Sequence, residues 1–276
     1  MASPLQHPTT NPTTRSEPAA GSVAVVVIGA ELLAGKIRDE NLWHLAGELR
    51  ALGADLTCAL FVGDSRAEIA DALDFACARA ERVLTTGGIG PTHDDLTLAA
   101  VAAHGGVPLV RDPALERAVH AHYPEPSPDV LSMADVPQGA ELIYPTDFYL
   151  PIVKLGQVHV FPGVPGMLRL MFAAWKGALQ TTPFHCERRY LDADEGEVAP
   201  TLREVQDRHP AVSLGSYPRF DAGAPYRVML TVDGKDSQAV AAAAADLTAS
   251  LTRACGEHAF RSLPESTAAS PPTEAG

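Results

Sequence analysis

The hydrophobic pattern changes period several times along the chain, and each change marks an element. Ser22–Ile28 is a continuous, largely β-branched apolar run that stops at Gly29. That is the pattern of a short strand buried on both faces of a parallel sheet. Over residues 41–52 the period lengthens: Leu42, Leu45, Ala46 and Leu49 share one stripe, and Gly53 ends the helix. Asp55–Val62 predicts a second strand. Residues 65–79 predict a second helix, with Ser65 as its cap and Glu68 completing a capping box. Arg82–Thr86 predicts a third strand, and residues 95–104 a further helix. This alternation predicts an α/β fold: a three-layer, doubly wound sheet with helices on both faces.

Beyond residue 112 the signals are mixed. Residues 113–135 read as mainly helical with a Pro-rich break at 124–128, and 140–144 and 152–161 each read as one strand. A Gly- and Pro-rich turn at 162–166 leads into a helix over 167–179. After Thr181-Thr182-Pro183 the order becomes strand (187–191), helix (195–209), strands (212–216 and 226–232) and an Ala-rich helix (237–253). That order suits a small two-layer α+β domain. The expected organisation is a large domain over 21–181, a small one over 185–257, and disordered Pro-, Ser- and Thr-rich tails at 1–20 and 261–276.

Composition narrows the function. Hydrophobic residues at 46% and charged residues at 20% suit a globular chain with a real core. A formal charge of −13 argues against a nucleic-acid partner held by bulk electrostatics. It leaves room for a small anionic ligand, because backbone N–H groups hold phosphates without net charge. Cys58, Cys77, Cys186 and Cys255 lie far apart with no zinc-ligand spacing, so free thiols in a reducing compartment are expected. The first twenty residues lack the apolar stretch of a signal peptide, and no apolar run approaches the roughly 18 residues of a membrane span. The expected location is the cytoplasm, without membrane contact.

Two tempting motifs fail. Gly29 to Lys36 follows a strand, but five residues separate its glycines and Ile37 follows the lysine. A P-loop needs four, then a Ser or Thr hydroxyl for magnesium. No GxGxxG follows the first strand, so a nicotinamide site loses its main support. His120 and His122 have no third metal ligand nearby in sequence and read as surface histidines.

The chemistry concentrates at residues 84–97, Leu-Thr-Thr-Gly-Gly-Ile-Gly-Pro-Thr-His-Asp-Asp-Leu-Thr, between a strand and a helix. Ligands bind at that carboxyl edge of a parallel sheet. Gly87, Gly88 and Gly90 let the backbone approach a ligand, and successive N–H groups there form an anion nest. Asp94 and Asp95 beside the nest would repel phosphates unless a Mg²⁺-like cation bridged them. The plainer alternative is that one of them caps the following helix.

This string, TGGIGPTHDDLT at 86–97, resembles the signature of the molybdopterin-binding fold family, which includes the MoaB/Mog proteins and the competence/damage-inducible CinA proteins. Three more segments and one single residue resemble that family in order: Gly29-Ala-Glu31-Leu-Leu-Ala-Gly35, then Asn41, Val62-Gly63-Asp64, and Phe161-Pro162-Gly163-Val164-Pro165. The resemblance spans about residues 22–180. Tyr190-Leu-Asp-Ala-Asp194-Glu195 with Leu214-Gly-Ser-Tyr-Pro218 is similar to the segment after the molybdopterin-binding-like domain of eukaryotic FAD synthases, and Leu150-Pro-Ile-Val153 also looks like that group.

The resemblance implies metal-dependent hydrolysis of a nucleotide pyrophosphate of the FAD or ADP-ribose class, with Mg²⁺, Mn²⁺ or Co²⁺ as cofactor. It implies Asp64 and Asp95 as catalytic residues and Asp94 and Asp95 as metal ligands. Gly29, Glu31, Asn41, Gly87, Gly88, Gly90, Pro91, Thr92, Thr97, Gly163 and Pro165 would contact the ligand. A homodimer or homotrimer is also implied. For Asp64 and Asn41 a helix-capping role is the competing reading. Two departures stand out. Neither a CinA-type nicotinamide-mononucleotide deamidase domain nor an FAD-synthesising domain follows, so those activities are expected to be absent. The CinA-type Thr-Ala-Pro-Gly loop is replaced by Tyr144-Pro-Thr-Asp-Phe-Tyr149, which alters the ligand pocket. Two rival functions stay open: adenylation of, or molybdate insertion into, a pterin, and a module that binds nucleotide or pterin without turnover.

Overall fold

In the computed structural model, residues 18–179, 181–221 and 223–262 are described. The tails expected from composition lie almost wholly outside them. The chain divides after Thr181 into two compact units.

The first unit runs β1 (Ser22–Ile28), α1 (Ala30–Leu33), α2 (Asn41–Ala51), β2 (Asp55–Val62), α3 (Arg66–Cys77), β3 (Arg82–Thr86), α4 (Thr97–His104), β4 (Leu109–Arg111), α5 (Pro113–His122), α6 (Pro128–Leu131), β5 (Asp135–Pro137), β6 (Glu141–Ile143), β7 (Ile152–Leu155), β8 (Val158–Phe161) and α7 (Pro165–Trp175). Six strands form the main sheet in the order β2-β1-β3-β8-β7-β6. Every residue of β1 is buried. Its alternate side chains feed two separate cores: Ala24, Val26 and Ile28 pack with Ile69 and Leu73 of α3 and Val101 of α4. Val23, Val25 and Val27 pack with Leu45 and Leu49 of α2 and Phe172 of α7. A strand dry on both faces has no polar side to alternate with, which explains its continuous apolar sequence.

Several expectations change. Residues 152–161 are not one strand but a hairpin: Leu155 pairs with Val158, and Gly156 turns the chain at φ +57°. β8 joins β3 in parallel while β7 runs against it, so the sheet is mixed. The helical reading of 113–135 ends in a strand, because β5 pairs antiparallel with β4. Ser65 precedes α3 in extended conformation, but its hydroxyl caps nothing. The Glu68 carboxylate lies against Gly63 instead, so the predicted capping box does not form. α4 begins two residues later than expected, at Thr97.

The buried His159 sits on β8 between two strands, its ring 4.9 Å from that of Trp175. Burial holds its pKa down at about 4, aided by the charges of Lys154 and Arg82 and opposed by Gln157 O and Glu141. The unfolded chain binds a proton near pH 6.5 that the folded chain refuses, so stability rises with pH between about 4 and 6.5. Thermal unfolding from pH 7.5 down to 4.5 will show a loss on the order of 3 kcal/mol that His159→Gln removes. An equal loss in the variant would place the acid sensitivity elsewhere.

The second unit contains β9 (His185–Leu191), α8 (Glu195–Arg208), β10 (Ser213–Pro218), β11 (Val228–Gly234) and α9 (Ser237–Cys255). The strands form an antiparallel sheet in the order β10-β11-β9. Val228, Leu230 and Val232 of β11 join Val198 and Val205 of α8 and Leu247 and Leu251 of α9 in one core. This is the two-layer α+β arrangement. No helix among the described residues is long and apolar enough to cross a membrane.

Candidate functional site

Three strand ends converge on a cleft of about 700 Å³: β1 delivers Gly29, β3 delivers Gly87, and β8 delivers Pro162 and Gly163. Their approach is closer than any side chain allows. Gly87 has φ +103°, and a Cβ there would lie 2.1 Å from Ile28 O. A Cβ on Gly163 would lie 3.0 Å from Gly87 Cα. Gly88 follows at φ +62°, so two consecutive left-handed residues fold the chain into a concave loop.

The loop is braced from behind. Thr97 N donates to Gly88 O at 3.0 Å, and Thr97 Oγ1 donates to Gly87 O at 2.8 Å. Thr97 is fully buried and does not line the cleft, which corrects its expected contact with ligand. Asp95 closes the loop's far end, its Oδ2 accepting from Thr92 N at 2.8 Å and Thr92 Oγ1 at 2.5 Å. It therefore caps the loop rather than the helix. The loop's inner donors are left over: no acceptor among the described residues takes the N–H groups of Gly88, Ile89 or Gly90. Three successive free N–H groups in a concave turn form an anion-binding nest.

Carboxylates surround this nest. Glu31, Asp64, Asp94 and Asp95 all line the cleft. Asp64 Oδ2 accepts from Ala30 N at 2.8 Å, so it does cap a helix, but the one after β1 rather than its own. Asp94 is exposed, and the neighbouring Thr92 hydroxyl, then its own backbone N–H, hold its carboxyl below the usual range. Among the described residues no group of three or more His, Cys, Asp or Glu could hold a metal ion by itself. Arg38 is the single Lys or Arg among the residues lining the cleft.

Asn41 is the first residue of α2, and Asp39 takes the capping role by accepting from Asn41 N and Leu42 N. The Asn41 side chain is only 6% exposed. Its Nδ2 donates to Thr86 Oγ1 at 2.9 Å and to Gly163 O at 2.7 Å, tying α2 to the ends of β3 and β8. Its Oδ1 is buried without a partner, at a residue that lines the cleft. A buried acceptor left unpaired is costly, and a ligand donor would relieve it.

The structure thus gathers Gly29, Glu31, Asn41, Asp64, Gly87, Gly88, Gly90, Pro91, Thr92, Asp94, Asp95, Gly163 and Pro165 around one cleft. Sequence reasoning missed Thr86, whose hydroxyl accepts from Asn41 and donates to Pro162 O. It also missed Arg38 and an apolar wall of Tyr123, Met133, Leu150 and Met167. Tyr149, in the same wall, belongs to the loop that departs from the CinA-type pattern.

Comparison with known proteins agrees with this architecture. Residues 24–181 match the family model described as "Probable molybdopterin binding domain", and residues 183–258 match "FAD synthase, middle domain". A CinA-like protein of Gloeobacter violaceus is 42% identical over 56% of this chain and 38% of its own length. A protein of Pyrobaculum calidifontis is 32% identical over 71% of this chain and 80% of its own. The crystal structure of the protein CinA from Thermoplasma acidophilum, described as of unknown function, has a TM-score of 0.55 and 26% identity, covering 58% of this chain and 98% of that one. The chain spans about half or less of the CinA-like relatives it matches. It belongs to the molybdopterin-binding domain family, here joined to a domain of the FAD synthase middle-domain type.

Proposed function

We propose that the chain hydrolyses the phosphoanhydride of a dinucleotide of the FAD or ADP-ribose class. The observation that carries this reading is the set of three unclaimed N–H groups at Gly88, Ile89 and Gly90, residues that line a cleft rimmed by carboxylates. The nest would hold the diphosphate, with Arg38 adding positive charge. Asn41 Oδ1 would accept from a sugar hydroxyl or a ring amine. The match of residues 183–258 to an FAD synthase middle domain adds support for a nucleotide of that kind.

A divalent cation fits these donors. Mg²⁺ is commonly held by one or two carboxylates together with substrate phosphates, not by an all-protein cage. Asp94 and Asp95 would hold it; Mg²⁺, Mn²⁺ or Co²⁺ would serve. Such an ion supplies neutralisation of charge developing on the phosphates. Asp64 would orient the attacking water from the opposite strand end. Because its Oδ2 is engaged by Ala30 N, the remaining oxygen would do this.

The family match favours one other reading, a pterin ligand handled by the same cleft. Incubating the purified chain with FAD or ADP-ribose, with each metal and with chelator, separates the two by chromatography. Metal-dependent release of AMP is expected. Intact dinucleotide in every reaction would favour the pterin.

A further inference from the structure

The cleft also has an apolar and aromatic wall. Tyr123, Met133, Tyr149, Leu150 and Met167 line it. Tyr149 is the centre of a ring cluster. His122 stacks on it at 4.2 Å between centroids and 14° between planes. Tyr123 meets it edge-on at 6.4 Å, and Phe148 packs at 4.9 Å. Tyr149 lines the cleft and His122 does not, and His122 covers one face of the Tyr149 ring. Burial, then the neighbouring Tyr123 hydroxyl, holds the Tyr149 pKa above its ordinary value, so the ring stays neutral. The ring is thus fixed in place before any ligand arrives, which removes the entropy cost of ordering it on binding.

We propose that Tyr149, held by His122 and Tyr123, is the platform on which the flat heteroaromatic ring of the ligand stacks. This rests on reading the cleft as a nucleotide site and adds its specificity. Ligands would be chosen for a planar ring as well as for phosphate. The cleft volume of about 700 Å³ leaves room for a ring beside the diphosphate. The Tyr144-to-Tyr149 segment, where the chain leaves the CinA-type loop pattern, would then be the part that sets ligand choice.

Titration of FMN, AMP and inorganic pyrophosphate, with Mg²⁺ present, tests this on the wild type and on Tyr149→Ala, Tyr149→Phe and His122→Ala. Stacking on one aromatic side chain predicts a loss of about tenfold or more in affinity for FMN or AMP in Tyr149→Ala. Pyrophosphate, which has no ring, should bind unchanged, showing that the variant is folded. Tyr149→Phe should retain the affinity, and His122→Ala should lose part of it. If FMN is the ring that stacks, its fluorescence should be quenched on binding and recover in Tyr149→Ala. Equal affinity of wild type and Tyr149→Ala for both mononucleotides would overturn the platform while leaving the nucleotide site intact. Absence of binding of all three ligands to the wild type would overturn both.

Discussion

Gly87→Ala will remove ligand binding and destabilise the first unit. The new Cβ would stand 2.1 Å from the Ile28 carbonyl oxygen, a backbone atom that cannot rotate away. At φ +103° the residue is also strained for any side chain. Relief requires the end of β3 to move off the end of β1, and that displaces the N–H groups of Gly88, Ile89 and Gly90. The expected cost is about 3 kcal/mol of stability, read by thermal unfolding. Pyrophosphate affinity should fall below detection. Gly47→Ala is the control: Gly47 lies inside α2, and a Cβ there meets nothing within 4 Å. It should bind as the wild type does and be as stable or more so. Normal binding by Gly87→Ala would mean that the loop is not the phosphate cradle.

Asp95→Asn is expected to lower hydrolysis at least about a hundredfold with little change in ligand affinity. The amide oxygen of asparagine can accept the same two bonds from Thr92 N and Oγ1, so the loop keeps its shape. Only the charge is lost. Asp95→Ala removes both, leaving Thr92 N without its acceptor, and should impair binding as well. Comparing kcat and KM for the two variants separates the roles. Full turnover by Asp95→Asn would take this carboxylate out of the chemistry and confine it to shaping the loop.

The parts of the fold that were legible in the sequence are those where local pattern and global position agree. β1 reads as a doubly buried strand because its odd and even residues each meet a core. The hairpin between β7 and β8 was not legible, because Gly156 and Gln157 make a turn too short to interrupt the hydrophobic run on either side. Ser65 and Glu68 show the opposite failure: the residues of a capping box are present, yet Glu68 lies against Gly63 and the Ser65 hydroxyl caps nothing. At the site, the glycine loop was readable from composition and position. Asn41 was not readable in its actual role, since that role depends on residues 45 and 122 positions further on meeting its amide. Thr97 shares the loop's string yet faces inward, a distinction that only the start of α4 decides.

The loop from Gly87 to Asp95 is expected to hold a diphosphate. A crystal structure with a methylene-bridged, non-hydrolysable ADP-ribose analogue and Mg²⁺ tests it most directly. Phosphate oxygens are expected within hydrogen-bond distance of the N–H groups of Gly88, Ile89 and Gly90. Phosphates bound elsewhere in the cleft, with those three groups left to water, would contradict it.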